Sequence, residues 1–583
     1  MQWETCVLLL SVTATLADDE WREVKTAQGP VRGRKHPTED LYTFFSIPYA
    51  TAPIGVDKFK APLPPPKWSE PFDAINKGII CPQPMHPLDD VYEEYLVQQE
   101  NCLISNLYVP NTVENNLSVV VIVHGGGFVM GWGETFQVTQ LMKKKDIIVV
   151  TFNYRLGVHG FLCLGTEVAP GNAGMKDQVA LLRWVQENIA SFGGNPNDVT
   201  IIGYSAGSAS VDLLMLSKSA EGLFHRAIPE SGSNLAAFSV QRDPIEIAKT
   251  YAKILNFTDV DNIAALTDFY TTTPLEFLTS TAAVFESTDS TFIFSPCVER
   301  DIGEETFLTE SPLSILKTGN YKKLPVLYGF TDMEGLMNMY HFDLWKNKMN
   351  EKFSDFLPAD LKFESEEQRE EVANKIKQFY FGGKPVSELT VLGFVDYYSD
   401  VLFTQSILWT TKLQVEAGNN EIYLYEYSFV DEDTPVVPHT NIRGVTHCGQ
   451  TFAVADGLNV THLDESLATP EHQEMKKIMR EIWHNFIKTG KPLSEDSSLP
   501  AWPAAGVNRS PHMSLGQKIE LRGVLLEERT RFWEDIYQRY YREPVPPPTM
   551  NYAPKFEKHV ILYVSCFILL YLSVDNYSLR DYY

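Results

Sequence analysis

At 583 residues the chain exceeds a usual single domain, although large sheet enzymes built as one unit do reach this size. Hydrophobic residues make up 44% and charged ones 21%, an ordinary balance for a globular protein with a large core. The net charge of −26 argues against a nucleic-acid partner and favours a soluble, mutually repelling surface.

The N-terminus carries an apolar run, Cys6–Leu16, then Ala17 and the acidic Asp18-Asp19-Glu20. Thr15 and Ala17 stand where a signal peptidase needs small residues, so residues 1–17 read as a signal peptide. The region before the apolar run departs from that pattern, having Glu4 as its only charged side chain. In a secreted chain the sequons at Asn116, Asn256, Asn459 and Asn508 are glycan acceptors, Asn508 the weakest because Pro511 follows its acceptor serine. An oxidising compartment permits disulfides. Cys81 and Cys102 close a short loop and are the expected bridge. Cys163, in the apolar stretch GFLCLG, reads as a buried small residue.

Residues 20–35 alternate in short runs broken by Gly29-Pro30 and Gly33, which predicts a small hairpin. Phe44–Trp68, rich in proline and aromatics, reads as irregular structure packed on a core. From residue 103 the pattern becomes strand, turn, helix. LISNLYVP, SVVVIVHGGG, DIIVVTFNYR and VTIIG are strands, with a long amphipathic helix over Asn172–Ser191 before the last. Further strands fall at 324–330 and 421–429, and helices at Glu364–Phe379 and Leu526–Tyr541, the latter with Phe532, Ile536 and Tyr540 on one face. Continuous Val/Ile runs mean strands covered on both faces, hence an α/β fold with a mostly parallel sheet between helix layers. The body is expected to span 18–543, followed by a proline-rich spacer at 544–558. An apolar segment at 559–575 and a polar tail at 576–583 complete the chain. The apolar segment is shorter than the ~20 residues of a spanning helix, and a GPI signal would normally end in its hydrophobic tail. A single-pass anchor, a GPI-type signal and a terminal packing element all remain open.

Two glycine-rich stretches carry the chemistry. Gly203-Tyr204-Ser205-Ala206-Gly207 follows a β-branched run, as expected of a serine held on a strained turn between strand and helix. Its glycines leave room for the neighbouring strand and helix, and the helix start aims the Ala206 N–H at an oxyanion. Upstream, His124-Gly125-Gly126-Gly127-Phe128 ends a strand, and consecutive glycines let backbone N–H groups turn toward one point. A serine nucleophile needs a histidine to take its proton and a buried carboxylate to orient that ring. Thr331-Asp332-Met333-Glu334-Gly335 places carboxylates just past a strand end. His447 stands in Gly444-Val445-Thr446-His447, with His439 a close competitor.

These stretches, with SIPYA, PPPKW, ENCL, NYRLG, GNAGMKDQVALLRWVQENIASFGGNPNDVTIIGYSAGS and PESGS, resemble the type-B carboxylesterases. That family is the cholinesterase-like branch of the α/β-hydrolases, and its insect members are the most similar. The resemblance covers about residues 20–540. It implies an α/β-hydrolase fold with Ser205 as nucleophile, Glu334 as acid and His447 as base, since the family's G-x-x-H pattern fits His447 and not His439. It further implies oxyanion donors at Gly126, Gly127 and Ala206, a Cys81–Cys102 disulfide, and a buried Arg155–Asp177 ion pair. Lys58 and Glu100 match a second pair whose cation is usually arginine; lysine keeps the charge and loses the bidentate fork. Two positions depart from the pattern. Tyr204 stands where a glutamate is common, which argues against a choline ester, and Gly449-Gln450 follow the histidine where an acidic residue is common.

The expected activity is hydrolysis of small to medium hydrophobic esters through an acyl-enzyme, without metal or organic cofactor. It should fall below about pH 6, because a histidine base must be neutral. The rival is a non-catalytic adhesion protein of the same fold, and the intact Ser-Glu-His set counts against it. The natural ester and the oligomeric state are not legible.

Overall fold

The computed structural model describes residues 20–84, 96–279, 287–458 and 465–548. Asn459, the signal peptide and the C-terminal apolar segment lie outside them. A 13-stranded sheet forms the spine. Its centre is a parallel block in the spatial order Ile147–Phe152, Leu117–Val123, Gly194–Tyr204, Arg226–Glu230, Val326–Thr331, Ile422–Tyr427 and His512–Leu515. Antiparallel strands flank it, Ile104–Pro110 beyond one edge and Ile519–Arg522 beyond the other.

The central strands read as near-continuous Val/Ile runs because both faces are covered. Val119, Val120 and Val121 are all 0% exposed, each burial being worth about 1.5–3 kcal/mol. One face is covered by the helices Ala173–Asn188 and Ala206–Leu216, which belong to the larger core cluster. The helix Pro470–Thr489 covers the other with Met479, Ile482, Trp483 and Phe486.

The N-terminal hairpin pairs Trp21–Lys25 with Pro30–Lys35. Phe44–Trp68 is only partly irregular. Its first residues belong to a strand, Leu41–Pro48, that pairs with Ile104–Pro110. Ser46, at φ 60°, bulges out of register between Phe44 and Ile47, and this break hides the alternation expected of a strand. The helix expected from Asn172 begins one residue later. Asn172 is left-handed (φ 57°), and its side chain bonds both the N–H and the carbonyl of Cys297. The far end tightens into a 3₁₀ turn, Ile189–Phe192, closed by Gly193. The helix predicted over Glu364–Phe379 runs Glu366–Phe381, capped by the Ser365 hydroxyl on the Gln368 N–H and by left-handed Gly382. The last helix, Glu527–Tyr540, buries Thr530, Trp533, Ile536 and Tyr537. Phe532 and Tyr540 lie at the margin of that stripe, Phe532 stacked on Phe379 with ring centroids 4.0 Å apart.

Cys81 and Cys102 are joined by a disulfide. Cys163 is not the unpaired core residue expected, because it bridges Cys297. The pair is 134 residues apart in sequence and meets only once the fold is formed. Gly171 makes room for it: a Cβ there would lie 2.6 Å from the Cys297 sulfur and 2.8 Å from that of Cys163. Cys448 is buried and free. Pro544 and Pro547 are buried, so the packed body continues a few residues into the stretch read as spacer, and the Arg300 guanidinium donates to the Pro547 carbonyl. Among the described residues no helix is long and apolar enough to cross a membrane.

Candidate active site

Ser205 stands between the strand Gly194–Tyr204 and the helix Ala206–Leu216 with φ 57° and ψ −125°. An L-residue there is strained, and the surroundings hold it. Its N–H donates to the Glu230 carbonyl at 2.9 Å, and its carbonyl accepts from Ala209. The flanking glycines have a steric cause. A Cβ on Gly203 would stand 2.2 Å from the Gly207 carbonyl oxygen, and one on Gly207 would stand 2.2 Å from that of Val123. Strand, turn and helix are therefore in backbone contact, which lets so sharp a turn stay closed.

The second glycine stretch leaves the strand Leu117–Val123. Gly126 and Gly127 have φ 109° and 62°, conformations that L side chains rarely adopt. Among the described residues the N–H groups of Gly126, Gly127 and Ala206 donate to no protein acceptor. His124 is buried, stacked on Tyr154 with centroids 4.3 Å apart, and burial lowers its pKa to about 4. Tyr204 packs against Gly125, Cys448 and Ala455, and a hydrogen bond to Thr135 engages its hydroxyl. Burial pushes that phenol up, so it adds no charge where a glutamate would have put one.

On the other side, Glu334 opens a 3₁₀ turn just past the strand Val326–Thr331 and is wholly buried. One carboxylate oxygen, Oε2, lies 2.5 Å from His447 Nδ1. The other, Oε1, accepts from the Ser231 hydroxyl at 2.5 Å and from the Thr331 N–H at 2.9 Å. With Nδ1 engaged, His447 Nε2 is buried and has no hydrogen-bond partner. Phe403 covers a face of the imidazole, with centroids 4.1 Å apart and planes 25° apart. That ring is presented by a π-helical turn, Asp400–Thr404, an irregularity often found at functional sites. His439, the alternative from sequence, is exposed and packs near Phe342, 5.9 Å between centroids.

Gln450, a departure in the sequence, has a part here. Its amide donates to the Ser231 hydroxyl at 2.6 Å and so completes a relay from Gln450 through Ser231 to Glu334. Glu230, the neighbour of Ser231, is fully buried and accepts from Tyr425. Burial pushes its carboxyl up to about 8, against the hydrogen bonds from Tyr425 and Gln450, and the Glu334 charge adds to the rise. Sequence reasoning missed Ser231, Phe403 and two further rings. Phe292 lies 3.4 Å from where a Gly127 Cβ would be. It touches Phe238 (5.2 Å), which touches Phe403 (5.7 Å), so an apolar wall runs from the glycine stretch to His447.

Away from this centre, Arg155 and Asp177 form a buried bidentate pair at 2.6 and 2.8 Å, and Arg155 also donates to the carbonyls of Lys58 and Lys60. The expected Lys58–Glu100 ion pair does not form as a contact. The Lys58 ammonium donates instead to the carbonyls of Thr271 and Thr273, at 3.0 and 2.7 Å. A single ammonium lacks the fork that would engage carboxylate and carbonyls together, and Glu100 acts on it only through longer-range attraction. Asn116, Asn256 and Asn508 are all exposed.

The sheet order, the strained serine between strand and helix, and the buried Glu334–His447 pair define an α/β-hydrolase. A sequence profile described as the carboxylesterase family matches residues 20–533. A carboxylic ester hydrolase from Bombus ignitus is 31% identical over 550 residues, covering 91% of this chain and 97% of the relative. Juvenile hormone esterase from Heliothis virescens is 34% identical over 505 residues, covering 82% and 87%. The crystal structure of juvenile hormone esterase from Manduca sexta, with OTFP covalently attached, superposes with a TM-score of 0.78 at 29% identity, covering 89% of this chain and all of that one. The chain belongs to the carboxylesterase family and is a carboxylic-ester hydrolase.

Proposed function

We propose that the chain is a serine esterase working through Ser205, His447 and Glu334, with Gly126, Gly127 and Ala206 as oxyanion donors. The observation that carries this is the His447 ring. Nδ1 is tied to a buried carboxylate, while Nε2 is left buried and unpartnered, and Cys448, the next residue after His447, packs on Tyr204, the residue before the strained serine. His447 Nε2 takes the Ser205 proton as Oγ attacks the ester carbonyl, and the three amides hold the oxyanion. The tetrahedral adduct collapses with the alkoxide leaving, protonated by His447. Water, deprotonated by the same nitrogen, then adds to the acyl-enzyme, and the acid leaves as Ser205 regains its proton. Glu334 stabilises the imidazolium that forms in each half.

The substrates are carboxylic esters with small to medium apolar substituents. Phe292, Phe238 and Phe403 offer rings beside the site, and neutral Tyr204 brings no negative charge to draw a cationic group. The secretory pathway is the proposed location: residues 1–17 read as a signal peptide, and one relative, 31% identical over 512 residues, is named venom carboxylesterase-6. The test is hydrolysis of a short-chain chromogenic ester by the secreted protein beside Ser205→Ala and His447→Ala. Turnover abolished in both variants is expected. Equal rates in the three proteins would overturn the reading, and no turnover in any would favour an adhesion protein of the same fold.

A further inference from the structure

Asp332 is the other carboxylate past the end of the strand Val326–Thr331, and the mechanism makes no use of it. Its N–H is anchored to the adjoining strand through the Tyr427 carbonyl at 3.2 Å. Its Oδ1 accepts the Val445 N–H at 3.0 Å, two residues before His447. The residues on either side of Asp332 grip the same loop. Thr331 Cγ2 lies 3.7 Å from where a Gly449 Cβ would be. Met333 packs so closely on Gly444 that a Cβ there would stand 2.1 Å from its sulfur. Glu334 completes the row on His447 itself. Four consecutive residues thus meet the loop Gly444–Gly449, and the loop's own backbone bond, Gly449 N–H to the Thr446 carbonyl, is internal to it.

We propose that Asp332 is a positioning residue for His447, acting through the Val445 N–H to fix the loop that carries the base. The inference rests on the serine-esterase reading above. A half-buried carboxylate is an expensive way to hold one amide. Burial, with the Glu426 and Glu334 charges added, pushes the Asp332 carboxyl up to about 7, and the Val445 bond opposes that rise. What the arrangement gains is register. Asp332 and Glu334 share one short turn, so the acid and the base's loop are set from a single rigid support. Misplacing a catalytic group by about 1 Å costs up to about 100-fold in rate.

The experiment compares wild type, Asp332→Ala and Asp332→Asn in ester turnover and in the rate of phosphorylation by an organophosphate, with Ser205→Ala as blank. Amide exchange at Val445 is followed by mass spectrometry. Asp332→Ala is expected to lower kcat and the phosphorylation rate about 10-fold with KM little changed, and to speed exchange at Val445. Asp332→Asn keeps an acceptor oxygen and should recover most of both. An active wild type whose Asp332→Ala variant keeps its kcat would overturn the positioning role alone, as would equal losses in the two variants. A wild type no faster than Ser205→Ala would refute the esterase reading, and the positioning role with it.

Discussion

Ser205 and its proposed oxyanion donors come from two short stretches whose shape is set by glycine, 124–128 and 203–207. Glu334 and His447 are assembled from segments at 230–231, 331–334, 400–404 and 444–450 that meet only in the folded chain. The first half depends on what is absent: no side chain fits at Gly203 or Gly207. The second depends on what is present, a run of donors and acceptors that links Gln450, Ser231, Glu334 and His447. The nucleophile half should therefore fail when atoms are added, and the acid–base half when hydrogen-bond partners are removed.

The largest expected effect is on the proposed nucleophile. Ser205→Ala should lower kcat about 10⁴-fold or more in ester hydrolysis, with thermal stability little changed, since alanine keeps the Cβ and the backbone shape of the turn. A variant keeping a tenth of the activity would detach the chemistry from the serine turn. Gly207→Ala is the test by addition. Its Cβ would meet the carbonyl oxygens of Val123 at 2.2 Å and His124 at 2.7 Å, both backbone atoms that cannot swing aside. A loss of about 1–3 kcal/mol or more is expected in denaturant unfolding, and an unchanged midpoint would show the packing argument to be wrong.

The test by removal is Gln450→Leu, which keeps the bulk and takes away the donor to Ser231. Losing one buried hydrogen bond is worth about 1–3 kcal/mol, so a drop in kcat of about 10-fold at constant KM is expected from steady-state kinetics. A change confined to KM would place Gln450 in substrate binding instead.

The last effect depends on pH. Glu230 has a folded-state pKa of about 8 against an ordinary 4.5. Between those values the folded chain holds a proton that the unfolded chain has released, so this group's contribution to stability declines as pH rises through that window. Glu230→Gln removes the titration. Its melting temperature should gain on wild type from about pH 5 to pH 8 and stay level above that. A difference that is flat with pH would mean Glu230 is already ionised in the folded state.

The same contrast explains what could be read from the residues alone. The parallel sheet, its central strands and the serine turn were legible because each is encoded locally, by Val/Ile runs and by glycines at fixed offsets. The roles of Ser231, Gln450, Phe403 and Asp332 were not, since each acts on a residue of another segment. Gln450 reads only as a departure after the histidine because its partner, Ser231, lies 219 residues away. The Cys163–Cys297 bridge escaped for the same reason. The strand Leu41–Pro48 was obscured by the bulge at Ser46, and the Lys58–Glu100 contact was expected by resemblance where the ammonium finds carbonyls instead.

The most direct test of the central claim counts active sites. The secreted protein is titrated with a fluorophosphonate and the labelled peptide sequenced by mass spectrometry. One phosphonyl group per chain, on Ser205, is the predicted result, with no label on Ser205→Ala and slowed labelling on His447→Ala. A chain that hydrolyses esters while Ser205 stays unlabelled would contradict the account.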